Sequence, residues 1–97
     1  MRYEILLAPE AVADLRHLKA YLRAAVREGI EVHLRNEPTR TSKSRIKRLR
    51  GMRRPQYRLR VGEIRVFYDV TGRAVEILAI VSKSDALAWL ERAGEGQ

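Results

Sequence analysis

From Tyr57 to Val70 the chain alternates. Tyr57, Leu59 and Val61 are separated by Arg58 and Arg60, and Ile64, Val66, Tyr68 and Val70 by Arg65, Phe67 and Asp69. A two-residue period sends alternate side chains to opposite faces, so these runs are strands with one covered face. Gly62-Glu63 between them has the length and composition of a two-residue hairpin turn. With that turn Val61 faces Ile64, Arg60 faces Arg65, Leu59 faces Val66 and Arg58 faces Phe67. A second turn at Thr71-Gly72 leads to a third strand, Glu76–Val81, with Val75, Ile77, Ala79 and Val81 expected on one side.

The rest of the chain supplies the cover. Arg2–Leu7 reads as a short strand. Ala8-Pro9 opens a helix with Pro at its first position and Glu10 and Asp14 in its first turns. Val12, Leu15, Leu18, Leu22, Val26, Ile30 and Leu34 then recur at spacings of three and four, and Glu37-Pro38 ends the stripe. A helix over Pro9–Asn36 is long for a chain of 97 residues, so a break is expected near Ala20–Arg23. After the meander, Ala86–Arg92 reads as a last short helix. The expected fold is α+β, β-α-α-β-β-β, with a helix hairpin packed on one face of a small, mainly antiparallel sheet and a short C-terminal helix. At this length it is a single domain over residues 1–97, with a frayed tail from 93 to 97.

Charge is concentrated in one segment. Thr39–Arg60 holds ten basic residues and no acid, while the remainder carries ten basic and twelve acidic, for a net charge of +8. One basic segment on an otherwise near-neutral chain points to a polyanion or an acidic protein partner. The hairpin sharpens this. Alternation places Arg58, Arg60, Arg65 and Phe67 together on the face away from Leu59, Val61, Ile64, Val66 and Tyr68. Two arginines directly opposite each other repel by a few tenths to about 1 kcal/mol. Such a local conflict marks a functional site. Guanidinium forks grip phosphate, and aromatic or guanidinium planes stack on unpaired bases, so the face suits RNA. It would also suit an acidic peptide strand.

Several chemistries lack their residues. There is no Cys, which excludes a disulfide framework, an iron–sulfur cluster and a cysteine-based zinc site, and fits a reducing compartment. No apolar run approaches membrane-spanning length and the first residues do not read as a signal peptide, so a cytoplasmic protein with no membrane contact is expected. His17 and His33 have no partner at metal-ligand spacing. No serine lies in a nucleophile motif, and no glycine-rich phosphate loop is present. Asp69 and Glu76 are expected to face each other near the second turn, without an evident role. Trp89 reads first as a core anchor.

The run KRLRGMRRPQYRLRVGEIRVFYDV, with the Ala8-Pro9-Glu10-Ala11 helix start and the Arg48-Leu49-Arg50-Gly51 element, resembles the RelE/ParE toxin superfamily over almost the whole chain. The resemblance implies a cytosolic toxin of a type II toxin–antitoxin pair, RelE-like, held inactive by a cognate antitoxin in a hetero-oligomer. RelE-like members cut mRNA in the ribosomal A site, and ParE-like members share the fold but inhibit DNA gyrase. A degenerate member would keep only antitoxin binding and act as a co-repressor. Carried over by position, the two basic residues of the first meander strand, commonly lysines, are Arg58 and Arg60, and the arginine of the next strand is Arg65. The basic residue after the last strand, usually arginine, is Lys83. The tyrosine six positions later is replaced by Trp89. These five are the candidate catalytic residues. Arg45, Lys47, Arg48, Arg50, Arg53, Arg54 and Phe67 are the candidate contacts to RNA and ribosome.

The implied chemistry needs no metal or cofactor. A 2′-hydroxyl attacks the adjacent phosphate, leaving a cyclic phosphate and a 5′-hydroxyl. Arg58, Arg60 and Arg65 can neutralise the phosphorane but are poor bases, because guanidinium stays protonated up to about pH 12. Lys83 is the acid/base candidate by residue type.

Overall fold

The computed structural model describes residues 2–95. Its elements in chain order are β1 (Glu4–Leu7), α1 (Pro9–His17), α2 (Ala20–Leu34), β2 (Ile46–Arg48), β3 (Tyr57–Val61), β4 (Ile64–Thr71), β5 (Ala74–Ser82) and α3 (Lys83–Glu95). The five strands form one sheet in the order β1-β5-β4-β3-β2. All neighbours are antiparallel except β1 and β5, which pair in parallel. The fold is α+β, as the pattern implied.

The β3–β4 hairpin has the expected register: Val61 opposite Ile64, Arg60 opposite Arg65, Leu59 opposite Val66, Arg58 opposite Phe67. Gly62 takes φ +57° at the first turn position, a conformation other residues adopt only with strain. On the covered face Leu59, Ile64, Val66 and Tyr68 meet Ala11 and Leu15 of α1 and Val26, Ile30 and Leu34 of α2. Tyr68 is fully buried, stacks on Tyr57 with centroids 5.4 Å apart, and donates its hydroxyl to the Pro38 carbonyl at 2.6 Å. Burial and the neighbouring Tyr57 push its pKa far above the usual phenol value. Tyr68 thereby ties the end of the helical layer to the sheet.

Several boundaries differ from the sequence reading. The helical stripe breaks at Leu18–Lys19, both extended (ψ 146° and 151°), slightly before the expected Ala20–Arg23. Leu18 stays packed on the core through the break, so the apolar spacing is preserved and periodicity cannot locate it. The first strand begins at Glu4 rather than Arg2. Within the basic segment Ile46–Arg48 forms an edge strand, with Ile46 buried against Leu59; three residues are too few to show alternation. The second turn is Gly72-Arg73, one residue later than read, with Thr71 opposite Ala74 and Gly72 at φ +58°.

The largest correction concerns β5. Tyr68 pairs with Ile77 but Phe67 pairs with Ala79, so Leu78 is an extra residue, a β-bulge. A bulge flips the alternation. Val75 and Ile77 face the α1–α2 layer, and so does Ile80, while Ala79 and Val81 lie on the other side. The backbone N–H of Ile80 donates to Asp14 Oδ2 on α1 at 2.9 Å. The last helix, α3, runs from Lys83 to Glu95 rather than Ala86–Arg92. Of the tail expected to fray, 93–95 is helical and 96–97 lies outside the described residues.

Candidate functional site

The second sheet face carries two cross-strand rows. In one, Lys47, Arg58, Phe67 and Ala79 stand side by side on β2, β3, β4 and β5. In the next, Arg60, Arg65 and Val81 do the same, and the Arg60 N–H donates to the Arg45 carbonyl at 2.8 Å, which extends the row past the start of β2. Alternation alone brings these cations together.

Their surroundings differ. Arg60 is exposed. Arg65 is 8% exposed, and its Nη1 donates to the Gly62 carbonyl at 2.8 Å and the Ile64 carbonyl at 3.1 Å, so this guanidinium is anchored to the β3–β4 turn. Arg58 is half-buried, and its Nε is buried with no hydrogen-bond partner. Burial, then the charges of Arg65 and Arg60, lower its pKa below the usual guanidinium value. Among the described residues no salt bridge reaches Arg58, Arg60 or Arg65. A desolvated cation with an idle donor and two cationic neighbours favours an oxyanion.

The rest of this face is closed by α3. Phe67 is fully buried, and Trp89 stacks on it with centroids 4.9 Å apart and planes 6° from parallel. The indole Nε1 donates to Glu10 on α1 at 3.2 Å. Leu49, Leu78, Val81, Ala86, Leu90 and Ala93 surround the pair. Beside it a cavity of about 690 Å³ runs between α3 and the segment before β3, with Pro55, Leu78 and Trp89 in its wall and Arg53, Arg54 and Arg92 at its margins.

The family model describing the ParE toxin of type II toxin–antitoxin systems matches residues 5–87. The chain belongs to the RelE/ParE toxin family. Three solved structures show the same architecture. The toxin–antitoxin complex RelBE2 of Mycobacterium tuberculosis is 27% identical, with 84% of this chain and 99% of the matched one covered at TM-score 0.69. The RelE–RelB complex of Pyrococcus horikoshii is 26% identical over 86% and 97%, at 0.70. A free-state mutant of Escherichia coli RelE, 20% identical over 94% of each chain at 0.70, shows the fold alone. No curated protein matches the chain.

The toxin's sequence-predicted site residues fall into three groups. Lys47, Arg58, Arg60 and Arg65 share one face, Arg45 flanks it, and Lys83, exposed at the start of α3, is tied to its turn by donating its backbone N–H to the Glu63 carbonyl at 2.7 Å. Arg50 and Arg53 lie in the segment between β2 and β3, and both are exposed. The remainder are corrected by the structure. Phe67 cannot meet RNA, because Trp89 and the strand neighbours bury it completely. Trp89 is 7% exposed and stacked on Phe67, so with α3 docked its ring is a core anchor. Arg48 alternates to the opposite face and lies over the Tyr57 ring, 5.0 Å from its centroid. Arg54 is engaged by acids: its Nε donates to Asp69 Oδ2 and an Nη to Glu76 Oε1, each at 2.8 Å.

Sequence reasoning placed Asp69 opposite Glu76 correctly but found no use for them. Asp69, 6% exposed, also accepts the Gln56 N–H at 2.7 Å, and Gln56 Oε1 accepts the Val70 N–H at 2.9 Å. The two acids therefore clamp the segment before β3, which contains a cis Arg54–Pro55 bond. Two acids facing each other on adjacent strands were a signal that a cation must arrive from elsewhere. Among the described residues no helix is long and apolar enough to cross a membrane.

Proposed function

We propose that this toxin is a ribosome-dependent mRNA endoribonuclease, neutralised by a cognate antitoxin in a toxin–antitoxin complex. The observation that carries the reading is Arg58, a half-buried guanidinium with an idle Nε, set in the row beside the Arg60–Arg65 pair with no salt bridge to an acid among the described residues. A phosphodiester supplies the missing charge. Three cations, Arg65 among them anchored to the β3–β4 turn, stabilise the extra negative charge that develops on the phosphorane when a 2′-hydroxyl attacks in line. The hydroxyl proton passes to solvent, Lys83 protonates the leaving 5′-oxygen, and the products are a 2′,3′-cyclic phosphate and a 5′-hydroxyl. No guanidinium serves as base, so the rate rests on charge and positioning. The complexes of relatives with RelB support an antitoxin partner here. Such a partner disarms the toxin by covering Arg58 and Arg60 or by lifting α3.

A second reading, inhibition of DNA gyrase without cleavage, is favoured by the match to the ParE family model and by the burial of both candidate stacking rings. The test adds the purified toxin to ribosomes programmed with a defined mRNA and maps 5′ ends. Cuts within the A-site codon, lost in Arg58→Ala and in the exposed Arg60→Ala, support the nuclease. Intact mRNA with inhibited supercoiling in a parallel gyrase assay moves the toxin to the second reading. Intact mRNA and active gyrase leave a protein that only binds its antitoxin.

A further inference from the structure

Two cavities meet at Arg45, beyond the triad. The smaller, about 220 Å³, is lined by Ser44, Arg45, Arg60 and Gly62. The larger, about 400 Å³, lies between the end of α2 and the edge strand β2, with Arg45 again in its wall beside His33, Asn36 and Ser42. Arg45 is held between them, its Nη1 reaching the Arg60 carbonyl at 3.4 Å. The Ser42 hydroxyl oxygen already accepts the Arg45 and Ile46 backbone N–H groups, at 2.9 and 3.4 Å, so its proton remains to donate.

We propose that these two cavities, adjoining at Arg45, form a nucleotide subsite, with a phosphate group between Arg45, Arg60 and Ser44 and the attached base in the larger cavity against His33 and Asn36. Size and chemistry agree. The smaller cavity has two guanidinium groups and a hydroxyl, a set suited to one phosphate group. The larger falls in the range of small-molecule sites, about 300–1,000 Å³, and its walls read both donors and acceptors. An Asn amide presents both. Burial and the Arg45 charge lower the His33 pKa, which keeps the ring neutral, with one nitrogen to give and one to accept. Val32 on the rim is 63% exposed and offers an apolar contact to a base face. The carboxylate in the wall, Glu37, is held by Arg40 Nη1 at 2.8 Å, so it does not stand as an unpaired charge against the phosphate. The proposal rests on the RNA reading and extends it: a strand bound at Arg58 continues over Arg60 to Arg45, which gives the RNA a direction across the sheet.

The test titrates the full chain with 5′-AMP, adenosine and inorganic phosphate as separate probes and follows the imidazole resonances of His33 and, as control, the exposed His17. The expected result is binding of 5′-AMP at least about fivefold tighter than of either fragment, with His33 moving and His17 still. Loss of one charge-assisted fork in Arg45→Ala weakens 5′-AMP by about tenfold. Asn36→Ala weakens 5′-AMP but leaves phosphate unchanged, and Arg58→Ala changes 5′-AMP less than about twofold. Phosphate binding as well as 5′-AMP, or affinity lost in Arg58→Ala and kept in Arg45→Ala, overturns the subsite. So does an unmoved His33 at millimolar 5′-AMP. Cleavage is scored separately. Intact mRNA with 5′-AMP seated at Arg45 removes the nuclease reading alone, and cut mRNA without a His33 response removes the subsite alone.

Discussion

Arg58 occupies a place where an uncharged side chain of similar length would be more comfortable. Its Nε is buried without a partner and its neighbours repel it. Arg58→Met keeps the aliphatic stem and removes both penalties. It is expected to raise stability by about 1 kcal/mol, read as a higher urea midpoint with an unchanged slope, while abolishing toxicity. A fall in the midpoint would show that Arg58 holds the sheet rather than waits for a ligand. Asp14 poses the opposite case, a carboxylate whose job is structural. It accepts the Ile80 N–H that the bulge at Leu78 leaves to it. Burial raises its pKa, opposed by that hydrogen bond, and the nearby Glu10 adds to the rise. Folded Asp14 therefore binds a proton more readily than the unfolded chain. Its contribution to stability is largest below the unfolded value of 3.8 and is lost as pH climbs through the raised folded value. Asp14→Asn retains an acceptor without the charge and should flatten the stability profile in the window just above pH 3.8. Asp14→Ala orphans the Ile80 N–H and should cost about 1–3 kcal/mol at neutral pH.

Among the elements, α2 comes close to β3 at Gly29. A Cβ built there lies 2.8 Å from Val61 Cγ2, and a valine side chain has little freedom to retreat. Gly29→Ala gains up to about 1 kcal/mol of helix propensity but meets an overpacking cost of about 1–3 kcal/mol. A net loss of stability is expected, and it should turn into a gain in a Val61→Ala background; a double-mutant cycle in urea reads the coupling. The other contact between layers that can be switched off is α3. The small cluster around Phe67 and Trp89 fastens it, with the Trp89–Glu10 hydrogen bond and the Lys83 N–H to the Glu63 carbonyl. Trp89→Ala should let the α3 amides exchange freely while those of β4 and β5 stay protected. What was legible in the sequence follows the same division. The β3–β4 hairpin could be read residue by residue, because a two-residue turn and strict alternation fix register together. The bulge could not, since one extra residue in β5 leaves Val75–Val81 apolar on both sides of the flip. The packing of α3 is illegible for a different reason: alternation leaves Phe67 on an open face, and the ring that covers it, Trp89, is distant in sequence. The cationic triad was visible from spacing alone, whereas the Arg54–Asp69–Glu76 clamp required the fold to bring a loop cation to two strand acids.

At the scale of the whole molecule, the fold sorts one basic segment by direction. Thr39–Arg60 has ten basic residues, yet the structure sends them to different places. Arg48 covers Tyr57 on the far face, Arg54 is neutralised by Asp69 and Glu76, and Arg40 is paired with Glu37. Lys43, Arg50 and Arg53 are exposed outside the strands, and Arg45, Lys47, Arg58 and Arg60 lie along adjoining positions of one face. Affinity for single-stranded RNA should therefore respond to those four and to Arg65 opposite Arg60, and not to the net charge of +8. Each phosphate neutralised on a single strand contributes about −0.7 to the slope of log K against log salt, so five contacts give a slope of about −3.5, whereas a count over the full basic segment would give about −7. Fluorescence anisotropy with a short unstructured RNA from 50 to 300 mM salt separates these values. Within that series Arg45→Ala should shallow the slope by about 0.7, and Arg48→Ala and Arg54→Ala should leave it unchanged. If Arg48→Ala shallows it as much as Arg45→Ala, RNA binds around the edge of β2 instead of across the β3–β4 face, and the triad loses its place as the centre of the interface.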